Sequence, residues 1–108
     1  MTVATARLLR AFLADVSLPR YGYDLMQETG FASGKLYPIL ARLRNAGWLE
    51  RELEDIDPAV AGRPARWMYH LTARGAEEGR YELAVLSEQL SPPPQSAPPR
   101  LRPGEGLR

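Results

Sequence analysis

A short segment near the middle of the chain combines a regular apolar repeat with charges of a single sign. Leu36, Ile39, Leu40 and Leu43 are spaced i, i+3, i+4 and i+7, which places them on one stripe of an α-helix. The segment 33–47 that contains them holds basic residues but no acidic residue. The sequence therefore predicts a helix whose back is buried and whose front is basic, a combination that suits contact with a polyanion.

The composition excludes several classes of protein. The chain has 108 residues, enough for one domain with one modest core. It has no cysteine, and His70 is its single histidine, so disulfides and thiolate or histidine-rich metal sites are excluded. Because no Ser/His/Asp or paired-carboxylate arrangement occurs at recognisable spacing, we expect no enzyme activity, no metal and no cofactor.

The N-terminus lacks a signal-peptide pattern, and no apolar run approaches the roughly 20 residues that cross a bilayer. We therefore expect a cytoplasmic protein with no membrane partner.

The charges are arranged in blocks that the net charge of +1 conceals. Residues 33–47 sum to +3, residues 48–57 to −4 and residues 58–75 to +3. If the two basic blocks meet on one face of the fold, that face has the electrostatic character of a nucleic-acid-binding surface.

The first half of the chain reads as three helices. Apolar spacing predicts a helix over 3–16 and a second one over about 23–29, separated by a break at Leu18-Pro19-Arg20. Gly30 is expected to end the second helix in the left-handed conformation. Ser33 is expected to cap the third helix, which Gly47 closes.

The second half reads as a hairpin followed by a helix. Residues 48–53 and 67–71 alternate like strands, and the Asp-, Pro- and Gly-containing residues 54–64 between them form a loop, so the pair is a β-hairpin with a long tip. Thr72 is the expected N-cap of a last helix that runs to about Leu90.

That last helix carries an apolar a/d repeat at Ala76, Gly79, Leu83, Leu86 and Leu90. Two heptads are too short for a free-standing coiled coil, so we expect the helix to pack on the first helix and on a partner subunit. The predicted dimer interface consists of Leu9, Phe12, Leu83, Leu86 and Leu90.

The predicted elements divide the chain into three parts. Residues 1–71 are the predicted DNA-binding domain and residues 72–90 the dimerisation helix. Residues 91–108 contain six of the ten prolines and are predicted to be a Pro-rich disordered tail.

The element order is that of a winged helix-turn-helix. Five sequence blocks in this order are similar to those of one family with this fold. They are Tyr21-Gly22-Tyr23-Asp24-Leu25, Ser33-Gly34-Lys35-Leu36-Tyr37-Pro38-Ile39-Leu40, Leu43 with Gly47-Trp48-Leu49, Gly62-Arg63-Pro64 with Arg66-Trp67-Met68-Tyr69, and Leu71-Thr72-Ala73-Arg74-Gly75. In these blocks the chain closely resembles the PadR family of bacterial transcriptional regulators. It differs from the common pattern at Trp48, where a smaller aliphatic residue is usual, and in its Pro-rich tail.

The resemblance implies a mainly α fold with a small β-hairpin wing and a C-terminal dimerisation helix. It further implies a homodimeric repressor that binds double-stranded DNA at an inverted-repeat operator and is released by a small molecule or stress signal. With one helix after the wing, the chain is similar to the short PadR subfamily, in which that helix forms the dimer. Some members of that subfamily bind flat aromatic molecules at the dimer interface, so a small aromatic effector is a candidate partner.

The third helix is expected to enter the major groove, with small Gly34 and Ala41 allowing close approach and Tyr37 bonding a phosphate. The wing arginines are expected to contact phosphate or the minor groove, and the acids Glu52, Glu54, Asp55 and Asp57 should lie on the strand side away from DNA. The predicted DNA-binding residues are Tyr21, Ser33, Gly34, Lys35, Tyr37, Pro38, Arg42, Arg44, Asn45, Arg63 and Arg66.

Other interpretations remain open at this point. The basic helix front could be an ordinary solvated face. The acidic strand is the feature in favour of a winged-helix protein-interaction or sensor module with little DNA affinity, and a multidrug-sensing protein is a third possibility. Trp48, Trp67 and Tyr69 could line a drug pocket, although core or hairpin packing is the favoured interpretation. His70 is expected on the strand surface.

Overall fold

The computed structural model describes residues 1–91. Its elements follow the order α1 (Val3–Leu13), β1 (Arg20–Tyr21), α2 (Gly22–Thr29), α3 (Ser33–Asn45), β2 (Leu49–Leu53), α4 (Pro58–Ala61), β3 (Trp67–Leu71) and α5 (Ala73–Leu90). The three main helices, the hairpin and the last helix are therefore confirmed. The Pro-rich tail prediction lies, from residue 92 onward, outside the described residues.

The first helix is shorter than predicted. It ends at Leu13 rather than at residue 16, and Val16 is 40% exposed. The Asp15 carboxylate accepts hydrogen bonds from the Ser17 backbone N–H at 3.1 Å and from the Ser17 hydroxyl at 2.7 Å. This local side-chain turn competes with a further helical turn, which explains the early end.

The turn between α2 and α3 differs from the prediction at one residue. Gly30 adopts the expected left-handed conformation with φ of 77°. The N-cap of α3 is Ala32 rather than Ser33, because the Ala32 carbonyl accepts the first helical N–H bonds, from Lys35 and Leu36 at 3.0 Å each. Ser33 is thus the first residue of the helix, and no side chain caps α3.

The wing belongs to a three-stranded antiparallel sheet with the order β1-β3-β2. Sequence reasoning placed a helix break at Arg20, but Arg20 pairs with Tyr69 as part of β1. The loop between β2 and β3 also contains the single-turn helix α4, which Asp57 caps by accepting a bond from the Ala59 N–H at 3.0 Å. The loop prediction missed this turn.

The core lies between the helices and the sheet. The predicted stripe of α3 is buried in it, with Leu36 fully inaccessible. The other members of the core cluster are Leu8, Leu9, Phe12, Leu25, Phe31, Ile39, Leu40, Leu43, Leu49, Tyr69 and Leu71.

Two residues of this core correct the predicted dimer interface. The exposed fractions of Leu9 and Phe12 are 0% and 1%, so neither side chain has a surface that a partner could contact. The Leu9 side chain lies instead beside Gly79 of its own α5. These two positions stabilise the monomer.

The start of α5 is fixed on the turn between α3 and β2. The Thr72 hydroxyl accepts a bond from the Gly75 N–H at 2.9 Å and donates to the Gly47 carbonyl at 2.7 Å, so the predicted N-cap is confirmed. A Cβ at Gly75 would overlap with the Trp48 carbonyl. No helix within residues 1–91 combines the length and apolarity of a bilayer span.

Candidate nucleic-acid interface

The front of α3 is exposed along its whole length. The exposed residues of this helix are Ser33, Gly34, Lys35, Tyr37, Pro38, Arg42 and Asn45. No heavy atom would lie within 4 Å of a Cβ at Gly34, so the surface there is open. Because the opposite stripe of α3 is buried in the core, this front is held rigidly in place.

A second cation extends this surface onto α1. The Lys35 ammonium lies 4.7 Å from the centroid of the Phe31 ring, and the Arg7 guanidinium lies 5.7 Å from the same centroid. Both distances are within the range of cation–π attraction. Arg7 was not among the predicted site residues, because its position beside Lys35 depends on how α1 packs over the turn before α3.

Tyr37 joins α3 to the start of α2. Its hydroxyl rests against the backbone of Gly22, where any Cβ would overlap with it. Tyr37 is still 44% exposed and borders a cleft of about 310 Å³ that Tyr23 of α2 and Arg66 of the wing also line. The predicted residues Tyr37 and Arg66 therefore lie at one cleft, and Gly22 is the residue that permits the close contact.

The C-terminal end of α3 has mixed charge. Arg44 and Asn45 line a shallow groove of about 590 Å³ together with Glu50 and Glu52 of β2. Glu52 was expected to lie on the strand side away from DNA, and this expectation stays a prediction. In the structure Glu52 shares the groove with Arg44, because β2 runs beside the end of α3. The N-terminal part of the helix front is consequently the more positive part.

The base of the wing is organised around the Glu54 carboxylate, whose side chain is 11% exposed. Oε1 accepts bonds from Arg63 Nη1 at 2.7 Å and from the Arg66 backbone N–H at 3.1 Å, and Oε2 accepts bonds from Arg63 Nη2 at 3.0 Å and the Tyr21 hydroxyl at 2.9 Å. The hydrogen bonds from the Arg63 guanidinium, with those from Tyr21 and Arg66, lower the pKa of Glu54 to about 2. The hydrogen bond that the Tyr21 hydroxyl donates to Glu54 raises the pKa of Tyr21.

This cluster changes the expected roles of three residues. The side-chain donors of Tyr21 and Arg63 were expected to face DNA, but both are directed at Glu54. Glu54 itself was expected on the side away from DNA, yet it lies among the wing cations. Sequence reasoning missed this because Glu54 and Arg63 meet only when the hairpin loop folds back, and Tyr21 reaches them only when β1 joins the sheet. The guanidinium of Arg66 is exposed and lies 5.6 Å from the centroid of the Tyr21 ring.

The aromatic residues of the hairpin have structural contacts. Tyr69 is 3% exposed and belongs to the core. The indole N–H of Trp48 donates to Glu78 Oε1 at 2.8 Å, and the Arg51 guanidinium lies 4.0 Å from the Trp67 ring centroid. The favoured interpretation of these three aromatics as core and hairpin packing is confirmed. His70 is on the strand surface, 3.2 Å from Glu50.

A groove of about 780 Å³ lies between α1 and the C-terminal half of α5. Leu83 and Leu86 are half-buried along it, and Leu90 at its end is 68% exposed. Val3 and Ala6 of α1 form the other wall. The apolar stripe predicted on α5 is therefore unpaired over its last two turns in the single chain.

The fold matches those of known proteins. A PadR-like transcription factor from Bacteroides fragilis has a similar structure, with a TM-score of 0.65 and 24% identity over 79% of this chain and 81% of that chain. The structure of smu.1704 from Streptococcus mutans UA159 has a TM-score of 0.62 and 28% identity over 82% of this chain and 84% of that chain. MepR of S. aureus, in a complex with DNA, has a TM-score of 0.64 and 15% identity over 82% of this chain and 67% of that chain.

At the sequence level, none of the curated proteins compared with the chain matches it. The signature of the transcriptional regulator PadR-like family matches residues 13–80, which is more than half of the chain and includes α2, α3 and the whole wing. Members of this family are transcriptional regulators and not enzymes. The chain belongs to the PadR-like family of transcriptional regulators.

Proposed function

We propose that the chain is a homodimeric repressor that binds double-stranded DNA by inserting α3 into the major groove. The observation that carries the proposal is the exposed front of α3, which is basic, free of acidic residues from 33 to 47 and rigidly backed by the core. A helix of this kind fits the groove and the charge of DNA. MepR, which shares the fold, has been solved bound to DNA.

The proposed contacts fall into two groups. Arg42 and Asn45 lie on the outermost stripe of α3, and the small residues Gly34 and Ala41 on that side let the helix seat closely, so these polar side chains are placed to meet base edges. Phosphate contacts come from the flanks and from the wing. The flanking residues are Ser33, Lys35, Tyr37 and Arg44, and the wing contributes Arg66. Pro38 has no donor and lies on the outermost stripe, where it contributes only to the close fit.

The dimer is proposed to form at the groove between α1 and α5. Apolar surface that a second copy would cover is left at Leu83, Leu86 and Leu90. A two-fold axis between the two copies of α5 would present two copies of α3 to an inverted repeat. A small aromatic molecule or a stress signal that changed the angle between the subunits would alter the spacing of the two helices and release the operator.

The test is a gel-shift titration with the DNA upstream of the gene that encodes the chain, against a scrambled duplex of equal length. We expect tighter binding to the upstream DNA. Arg42→Ala should weaken that binding at least severalfold, whereas Arg80→Ala, which removes an exposed arginine from α5, should leave it within twofold. Equal binding of both duplexes would contradict the proposal.

A second candidate function is a protein-interaction module. Its supporting observation is the acidic edge of the wing, where Glu50, Glu52 and Asp55 are exposed. In that case neither the wild-type protein nor Arg42→Ala would shift either duplex in the titration.

A further inference from the structure

Of the two arginines between β2 and β3, Arg63 is paired with Glu54 through its guanidinium, whereas the Arg66 guanidinium is exposed to solvent. Glu54 contacts both terminal nitrogens of Arg63, at 2.7 and 3.0 Å, which is the two-point geometry of the strongest arginine–carboxylate pairs. Arg66 contacts Glu54 only through its backbone N–H and carbonyl, so its guanidinium does not bond to Glu54.

The carboxylate is also held from other directions. The Tyr21 hydroxyl fixes Oε2 from β1, and the Arg66 N–H fixes Oε1 from the strand side of the wing. The backbone of Glu54 is itself fixed, because its N–H donates to the Arg66 carbonyl at 2.8 Å. A phosphate that recruited Arg63 would therefore compete with a carboxylate that is already in place and cannot easily move away.

We propose that Glu54 is a positioning residue that masks the charge of Arg63, so that Arg66 makes the wing's phosphate contact and Arg63 does not. This inference rests on the proposed DNA-binding function. It assigns Arg63, which belongs to the basic block of the sequence, to holding the wing loop on Glu54 rather than to holding DNA.

The test measures how DNA affinity depends on salt. Log K falls as log salt rises, and each phosphate that a protein neutralises makes this negative slope steeper by about 0.9. Glu54→Gln keeps the size of the side chain but removes its charge, which frees Arg63. We expect this variant to steepen the slope by about 1.8 for a dimer, one extra phosphate contact in each subunit. The double variant Glu54→Gln with Arg63→Ala should return the slope to the wild-type value.

Asp55→Asn is the matched control. It removes the charge of the exposed acidic residue next to Glu54, which takes part in none of the ion pairs of residues 1–91, so the slope should not change. The proposal is wrong if Glu54→Gln leaves the slope unchanged. It is also wrong if the slope of the double variant is shallower than that of the wild type, because Arg63 would then contact phosphate in the wild-type protein. A wild-type slope near zero would instead refute the proposed DNA-binding function, and this proposal with it.

A measurement on the unmodified protein covers the case in which Glu54→Gln does not fold. The side-chain Nε–H resonances of Arg63 and Arg66 are followed by NMR as the upstream DNA is added. We expect the Arg66 resonance to shift and the Arg63 resonance to stay in place. A shift of the Arg63 resonance at least as large as that of Arg66 would overturn the proposal.

Discussion

At the scale of single residues, two glycines on one face of α5 make a matched pair. A Cβ at Gly75 would overlap with the Trp48 carbonyl, which is backbone and cannot move freely, whereas a Cβ at Gly79 would meet Leu9 Cδ2 at an ordinary 3.6 Å. Gly75→Ala should therefore reduce the free energy of unfolding by about 1–3 kcal/mol. Gly79→Ala should leave it unchanged or raise it by up to about 1 kcal/mol, since alanine favours the helix.

Urea denaturation of the two variants measures both values. Equal stability of Gly75→Ala and the wild type would show that α5 does not cross the α3–β2 turn as closely as the structure has it.

Glu54 predicts a dependence of stability on pH. Its pKa falls from 4.5 to about 2 on folding, chiefly because Arg63 bonds to the ionised carboxylate. The unfolded chain binds this proton first as the pH falls, so the stabilisation is fully present above the unfolded pKa and is lost between about pH 4.5 and pH 2.

Thermal unfolding measured at steps from pH 6 to pH 2 tests this dependence. The difference in stability between the wild type and Glu54→Gln isolates Glu54 from Asp15 and Glu78, whose pKa values are also lowered. We expect this difference to shrink as the pH falls. A difference that is constant over the whole range would contradict the role given to the carboxylate.

Residue roles were predictable where they depend on neighbours in the sequence. The N-cap Thr72 and the left-handed Gly30 follow from local rules, and the structure confirms both. The bonds of Tyr21 and Arg63 to Glu54 and the close contact of Tyr37 with Gly22 depend on residues that are not neighbours in the sequence, which periodicity does not report.

At the scale of elements, the Thr72 hydroxyl is the link between α5 and the turn after α3. It caps α5 through Gly75 and bonds the Gly47 carbonyl, so it serves two elements at once. Thr72→Ala should cost about 0.5–2 kcal/mol of stability, the range of an N-cap loss. Thr72→Ser keeps the hydroxyl and should recover most of the lost stability in the same denaturation assay. A serine variant as unstable as the alanine variant would argue against the hydroxyl bonds to Gly47 and Gly75.

Element prediction succeeded where an element is long enough to show a period. The α3 stripe, the strand alternation and the α5 repeat each span several periods, and all three elements lie where they were expected. The strand β1 has two residues and the helix α4 has four, which is too short for any period to be visible. Their existence depends on pairing with β3 and on the cap at Asp57.

At the scale of the whole molecule, the dimer is the claim with the widest consequences. Leu83 and Leu86 line the α1–α5 groove, and complete burial of each leucine by a second copy would contribute up to about 1.5–3 kcal/mol. Leu83→Asp together with Leu86→Asp should therefore give a monomer and a large loss of operator affinity, because a single half-site supports only weak binding.

Sedimentation velocity distinguishes the two states. Val60→Asp is the control for added charge, since Val60 is 84% exposed on α4, away from the groove, and this variant should remain a dimer. A wild-type protein that sediments as a 12.1 kDa monomer at micromolar concentration would contradict the dimer.

The central claim is that the front of α3 and the wing bind the phosphate backbone of DNA, and the salt dependence of wild-type binding tests it most directly. Fluorescence anisotropy with labelled upstream DNA gives the affinity at several salt concentrations. Phosphate contacts from Lys35, Arg44 and Arg66 in both subunits predict a slope of log K against log salt of about −5. A slope near zero would contradict the claim.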